Sequence, residues 1–192
     1  MPGAAASRPP APRTADPRPL TGEPLALDLL NTCWTRDGAV RDLLRDTHGP
    51  AVWLAANGLD RRFTADAATL RHLLDARDAI EAALDGTRTE HLDRALEHGR
   101  IRPTLTAGGP GERAEFADEA WGPAWLAARN YLELLAGAPD RIRGCAHEAC
   151  ALHFFDTSRN GARRWCSMAT CGNRAKAARH HASRKEARRT GS

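Results

Sequence analysis

Four cysteines crowd into the last quarter of the chain as Cys145-x4-Cys150-x15-Cys166-x4-Cys171, and no other feature limits the fold as tightly. Two cysteine pairs joined by a short span are the arrangement that closes a tetrahedral S4 metal site from two turns. Residues 140–192 offer few large apolar side chains (Ile142, Leu152, Phe154, Phe155, Trp165 and Met168), too few for an independent core. A segment so poor in apolar bulk needs a staple. Disulfides are the competing reading. The first 24 residues hold seven of the twelve prolines and no apolar run of the secretory kind, so a reducing, cytoplasmic compartment is expected and zinc is favoured. The spacing leaves open an iron–sulfur cluster, or His147 or His153 in place of one cysteine. Four protein ligands leave a zinc ion no open position, so the expectation is one structural Zn²⁺ and no metal catalysis. The fifth cysteine, Cys33, lies in an apolar stretch and reads as a small core residue.

Charge divides the chain at the same place. Residues 140–192 hold twelve of the 28 Lys/Arg side chains but only four of the 24 Asp/Glu, a balance of +8, while the 139 residues before them sum to −4. A tetrathiolate zinc site leaves the C-terminal segment at +6. A basic module on a mildly acidic body points to a polyanion partner or an anionic membrane surface, or else to a solvated basic face. No apolar run approaches the roughly 18–20 residues that span a bilayer, so no membrane role is expected.

Periodicity predicts a mainly α fold with a β-hairpin. Residues 1–24, rich in proline, alanine and arginine, read as a disordered leader. A helical domain is expected over 25–139. It opens with the run Leu25 to Trp34, which fits a short buried helix slightly better than a strand. Helices follow over 50–57, 65–85 with Thr64 as N-cap, and 90–98, then a hairpin over 101–117 and a helix from Pro123 to Gly137. Residues 140–192 are expected to form a small treble-clef-like zinc finger. In it, Asn160-Gly161 turns a hairpin between His153–Ser158 and Ala162–Cys166, and a basic helix runs over 172–189.

The string Arg163-Arg-Trp-Cys-Ser-Met-Ala-Thr-Cys-Gly-Asn-Arg174, followed by Ala175-Lys176, resembles the CGNR zinc-finger family, and Phe155-Asp-Thr-Ser-Arg-Asn160 fits the same pattern. Ala162 stands where that pattern leads one to expect a small polar residue. The opening Leu25-Ala-Leu-Asp-Leu-Leu-Asn-Thr32 is similar to the start of the ABATE domain, the usual partner of that finger in bacterial proteins. Together the resemblance covers about residues 20–185. It implies a stress-induced transcription regulator with a zinc-bound DNA-binding module, and RNA binding has also been proposed for the class.

Arg159, Arg163 and Arg164 lie on or beside the expected hairpin, and Arg174 and Lys176 on the first turns of the helix. These five are the candidate contacts to phosphates or to guanine edges. Arg174 has a competing role as a donor to thiolate sulfur, Asn173 as a buttress of the metal loop, and Trp165 as packing. In the body, Asp28 and Asn31 are i,i+3 and either line a small-molecule effector pocket or tie helices together. No nucleophile–base–orienter set, phosphate-cradling glycine loop or HExxH motif is present, so no enzyme is expected. The reading is a cytoplasmic regulator whose finger binds nucleic acid, DNA favoured over RNA, with a body that senses an effector or forms a homodimer. A zinc-stapled protein-interaction module is the reading from another class.

Overall fold

Apolar spacing sets the helices of the body. In a computed structural model that describes residues 15–178, 180 and 183, α1 spans Leu25–Leu30, α2 His48–Ala56, α3 Ala67–Leu84, α4 Glu90–Leu96 and α5 Gly122–Gly137. Leu73, Ala76 and Ile80 recur at helical spacing on the buried face of α3. Its N-cap is Asp66, whose carboxylate accepts the Thr69 N–H at 2.8 Å. Thr64, the expected cap, lies two residues too early, and its carbonyl accepts the Thr69 hydroxyl instead. In α5 the alanines 124, 127 and 128 are fully buried, and such small side chains let neighbouring helices approach closely. Against α3 and α5 packs α1, five of whose six residues are buried; this shortest helix is the centre of the core.

Helix α1 stops at Leu30, and the chain turns into a hairpin that the sequence reading had merged with it. Strands β1 (Cys33–Arg36) and β2 (Ala39–Asp42) pair antiparallel around Asp37-Gly38, whose φ values of 53° and 75° mark a two-residue primed turn. Strands β3 (Gly99–Thr106) and β4 (Gly109–Phe116) form the longer hairpin, close to its expected place. The fold is mainly α with β-hairpins.

The C-terminal module pairs differently from expectation. Its hairpin joins β5 (Ile142–Gly144) to β6 (His153–Phe155), with Cys145 and Cys150 in the connection, and residues 162–166 form no strand. The Asn160-Gly161 turn does form, with Gly161 at φ 59°. The chain after it is held by a side chain and not by a ladder. The Asp156 carboxylate, 1% exposed, accepts the N–H groups of Ser158 (2.8 Å) and Arg163 (3.0 Å). Residues 173–178 are helical and follow the turn Met168–Gly172. His180 and Ser183, in the expected continuation to 189, are helical too, whereas Arg184, Lys185, Arg188 and Arg189 lie outside the described residues, as does the leader over 1–14.

Order begins before Leu25, so the leader expected through residue 24 is too long. The Arg18 side chain is fully buried, donates to Asp28 Oδ1 at 2.6 Å and to the Asp28 carbonyl at 3.0 Å, and also pairs with Asp16. This buried, hydrogen-bonded pair pins residues 16–18 onto α1.

Body and C-terminal module share one core, in which Leu152, Phe154, Cys166 and Cys171 pack with the residues of the helices. One contact at α2 is unforgiving. Gly49 presses so closely on the turn Leu43–Arg45 that a Cβ there would run into the Leu43 carbonyl oxygen. Replacing Gly49 with alanine is expected to cost about 1–3 kcal/mol through overpacking. In urea denaturation this would lower the midpoint and leave the slope unchanged.

Candidate functional site

Three local turns bring the four cysteine sulfurs together. The Cys145 N–H donates to the Leu152 carbonyl at 2.9 Å, carrying the β5–β6 pairing one step further, and the Cys150 N–H closes a turn onto His147. Cys166 follows the loop tied by Asp156. Cys171 sits in the turn Met168–Gly172, whose N-cap Ser167 accepts from the Thr170 N–H. All four sulfurs lie within 4.8 Å of one another, with Cys150–Cys166 at 3.7 Å and Cys166–Cys171 at 3.6 Å. A regular tetrahedron with Zn–S bonds of about 2.3 Å has edges of about 3.8 Å, so the donor set and its spacing fit one Zn²⁺. The Cys166 N–H points at Cys145 Sγ at 3.4 Å, a backbone donor of the kind that steadies a metal-bound thiolate.

Neither histidine is part of this cluster: His147 Nδ1 accepts from the Ala149 N–H, and His153 is two-sidedly engaged through its backbone. When the thiols share protons only among themselves, the hydrogen bond from Cys166 draws Cys150 down to about 5. Burial pushes Cys171 up to about 11, and Cys166 rises as the donor to Cys150. Of these three thiols only Cys150 is drawn toward the thiolate, the form that ligates zinc.

The five candidate nucleic-acid contacts separate into two kinds. Arg163 is an internal brace. Its guanidinium donates to the carbonyls of Cys166 (2.7 Å), Trp165 (3.1 Å) and Phe155 (3.4 Å), pairs with Glu23 at 3.3 Å, and lies 4.1 Å over the ring of buried Phe154. A phosphate contact by Arg163 would compete with these internal bonds. Arg159, Arg164, Arg174 and Lys176 are exposed. Arg174 makes no hydrogen bond to a thiolate sulfur among the described residues, whereas Asn173 does buttress the metal loop, its amide donating to the Ala169 carbonyl at 3.2 Å. Arg164 lies 5.3 Å from the Trp165 ring centroid, and both line a groove with Arg174.

Asp28 and Asn31 are ties and not a pocket. Besides Arg18, Asp28 accepts from the Gly22 N–H (3.1 Å) and from Asn57 Nδ2 (3.0 Å). Fully buried Asn31 donates to the His153 carbonyl and accepts the His153 N–H, both at 2.9 Å, so its carboxamide pairs with β6 as a neighbouring strand would. Glu23 completes the junction, accepting the Phe155 N–H at 2.9 Å as well as Arg163. Sequence reasoning missed Glu23, Asp156 and Arg141, whose guanidinium donates to the Asp156 and Ser158 carbonyls. Of these only Asp156 carried a local signal, an acid two residues before a serine at a turn.

Two consequences are measurable. Elemental analysis is expected to find one zinc per chain, and chelation or Cys166→Ser to remove it and the amide-exchange protection of β5 and β6 together. Asn31→Ala leaves the part-buried His153 N–H and C=O without this partner, at about 1 kcal/mol each. Its signature is faster amide exchange at His153 with zinc retained.

No helix among the described residues is long and apolar enough to cross a membrane. No curated protein sequence matches the chain. Two family models do: residues 141–185 match the CGNR zinc finger, and residues 23–138 match ABATE, described as "Putative stress-induced transcription regulator". With its body matched over more than half of the chain, and a matched module that holds the four-cysteine zinc site, the chain belongs to the ABATE family and carries a CGNR zinc finger after it.

Proposed function

We propose that this protein is a non-catalytic transcription regulator that binds DNA through the exposed basic surface of its zinc finger. The observation that carries the reading is the pairing of two exposed arginines, Arg164 and Arg174, in one groove beside the metal site. Arg159 and Lys176 add exposed charge to the same small module, whose segment is basic even after the thiolates are counted. Four sulfurs leave zinc no position for a substrate, which supports a binding role over catalysis. Zinc and the ties from Glu23 and Asn31 hold this surface in one orientation on the body, so little conformational freedom is lost on docking. The small-molecule effector and the homodimer expected of the body draw no support from Asp28 and Asn31, whose polar atoms are committed internally.

Binding of the zinc-loaded protein to random duplex DNA and to random RNA across a salt series tests the reading. Affinity for DNA is expected to fall steeply as salt rises. Replacing Arg159 or Lys176 with glutamine is expected to lower affinity about equally for all sequences and to reduce the salt slope by about one unit each. Arg163→Gln is expected to act differently, destabilising the finger itself through the loss of its internal bonds. Tighter binding to RNA at matched salt would transfer the role to RNA. Failure to bind either polymer at low salt, with zinc in place, would make the finger a protein-interaction module.

A further inference from the structure

The groove beside the metal site has a chemistry narrower than positive charge. It is about 330 Å³, at the small end of ligand sites, and lies between the Cys145–Cys150 knuckle and the helix that follows Cys171. The half-buried indole of Trp165 lines it, with the central carbon of the Arg164 guanidinium over the ring at 5.3 Å from its centroid. Guanidinium and indole are both flat groups of the kind on which nucleobases stack, and the two stand side by side in this groove. Ala175 and Ala178, one helical turn apart, line the groove with methyl groups only, so the space stays open. Arg174 is exposed at the same groove, and so is the carboxylate of Glu148. A cradle built for a phosphate alone would exclude that carboxylate, whose charge repels an anion. Beside a base, the same carboxylate accepts hydrogen bonds from an exocyclic amino group.

We infer that this groove seats one unpaired nucleobase bearing an exocyclic amino group. The base stacks on the Arg164–Trp165 surface, its amino group donates to Glu148, and Arg174 meets the adjoining phosphate. The inference rests on the nucleic-acid reading above and deepens it. A base inside a duplex is covered on both faces and engaged on its pairing edge, so the form held here is a single strand or a locally opened one.

The test uses the full-length, zinc-loaded protein and fluorescence anisotropy at one salt concentration. Three labelled strands of equal length serve as probes: oligo-deoxycytidine, oligo-deoxythymidine, which lacks the amino group, and an abasic strand with the same phosphates. Oligo-deoxycytidine is expected to bind about tenfold or more tightly than the abasic strand, the range of one stacked base, and measurably more tightly than oligo-deoxythymidine. Ala178→Leu, which fills the groove from an exposed position, is expected to abolish both preferences with zinc content and affinity for the abasic strand unchanged. Glu148→Ala is expected to remove only the preference for cytidine over thymidine. Equal binding of the cytidine and abasic strands, with affinity otherwise intact, overturns the groove and leaves the nucleic-acid reading standing. So does a base preference that survives Ala178→Leu. Equal affinity for cytidine and thymidine strands overturns the role of Glu148. No binding to any strand or to duplex DNA at low salt overturns both readings.

Discussion

Four thiolates converging on one zinc ion are the constraint on which the C-terminal module depends. Cys145, Cys150, Cys166 and Cys171 come from three separate turns, and no ladder joins the last two to the first two. The β5–β6 hairpin has three residues per strand, far below what holds a hairpin together in water. The metal converts those turns into a single body, because the binding free energy of a structural zinc, about 10–16 kcal/mol, exceeds what so small a segment gains from burial. The carboxylate of Asp156 and the guanidinium of Arg163 then shape the loop between the cysteine pairs. Each satisfies backbone groups that the missing ladder would otherwise leave unpaired.

The module is not a bead on a string. Phe154 and Leu152 enter the same core as Leu27 and Leu29, and Asn31 supplies β6 with the hydrogen bonds of an absent strand. Helix α1 therefore has two duties. On one side Asp28 receives Arg18, Gly22 and Asn57; at its C-terminal end Asn31 grips the finger. A disturbance of α1 has a direct physical route to β6 through one carboxamide. That connection gives the string from Leu25 to Thr32 a structural purpose without any ligand.

Much of this was legible in the chain. Cysteine spacing, with the scarcity of bulky apolar residues after 140, identified the metal site and its ligands, because two closely spaced sulfur pairs in a segment without its own core suit a metal staple. The 3.6-residue recurrence of Leu73, Ala76 and Ile80 located α3, and Gly-rich punctuation located β3–β4. Other features were present but outweighed. Asp37-Gly38 is a hairpin signal, yet the strands around it are short and largely polar, and the leucines before them pulled the reading toward one helix. The proline-rich leader concealed Arg18, since nothing in its neighbourhood shows that a buried carboxylate waits ten residues on.

What the sequence by itself determined is the set of local and compositional facts: which segments are helical, which four residues bind zinc, and where positive charge concentrates. These depend on near neighbours or on residue chemistry that holds in any context. Only the tertiary structure decided which arginine is a brace and which is exposed. Arg163 and Arg164 are adjacent and chemically identical, but one lies over Phe154 and binds Glu23, 140 residues away, while the other faces solvent. The same holds for Asn31 and His153, paired across 122 residues. A hydrogen bond of that span is set by how the helices pack, and nothing in the residues beside either partner encodes it.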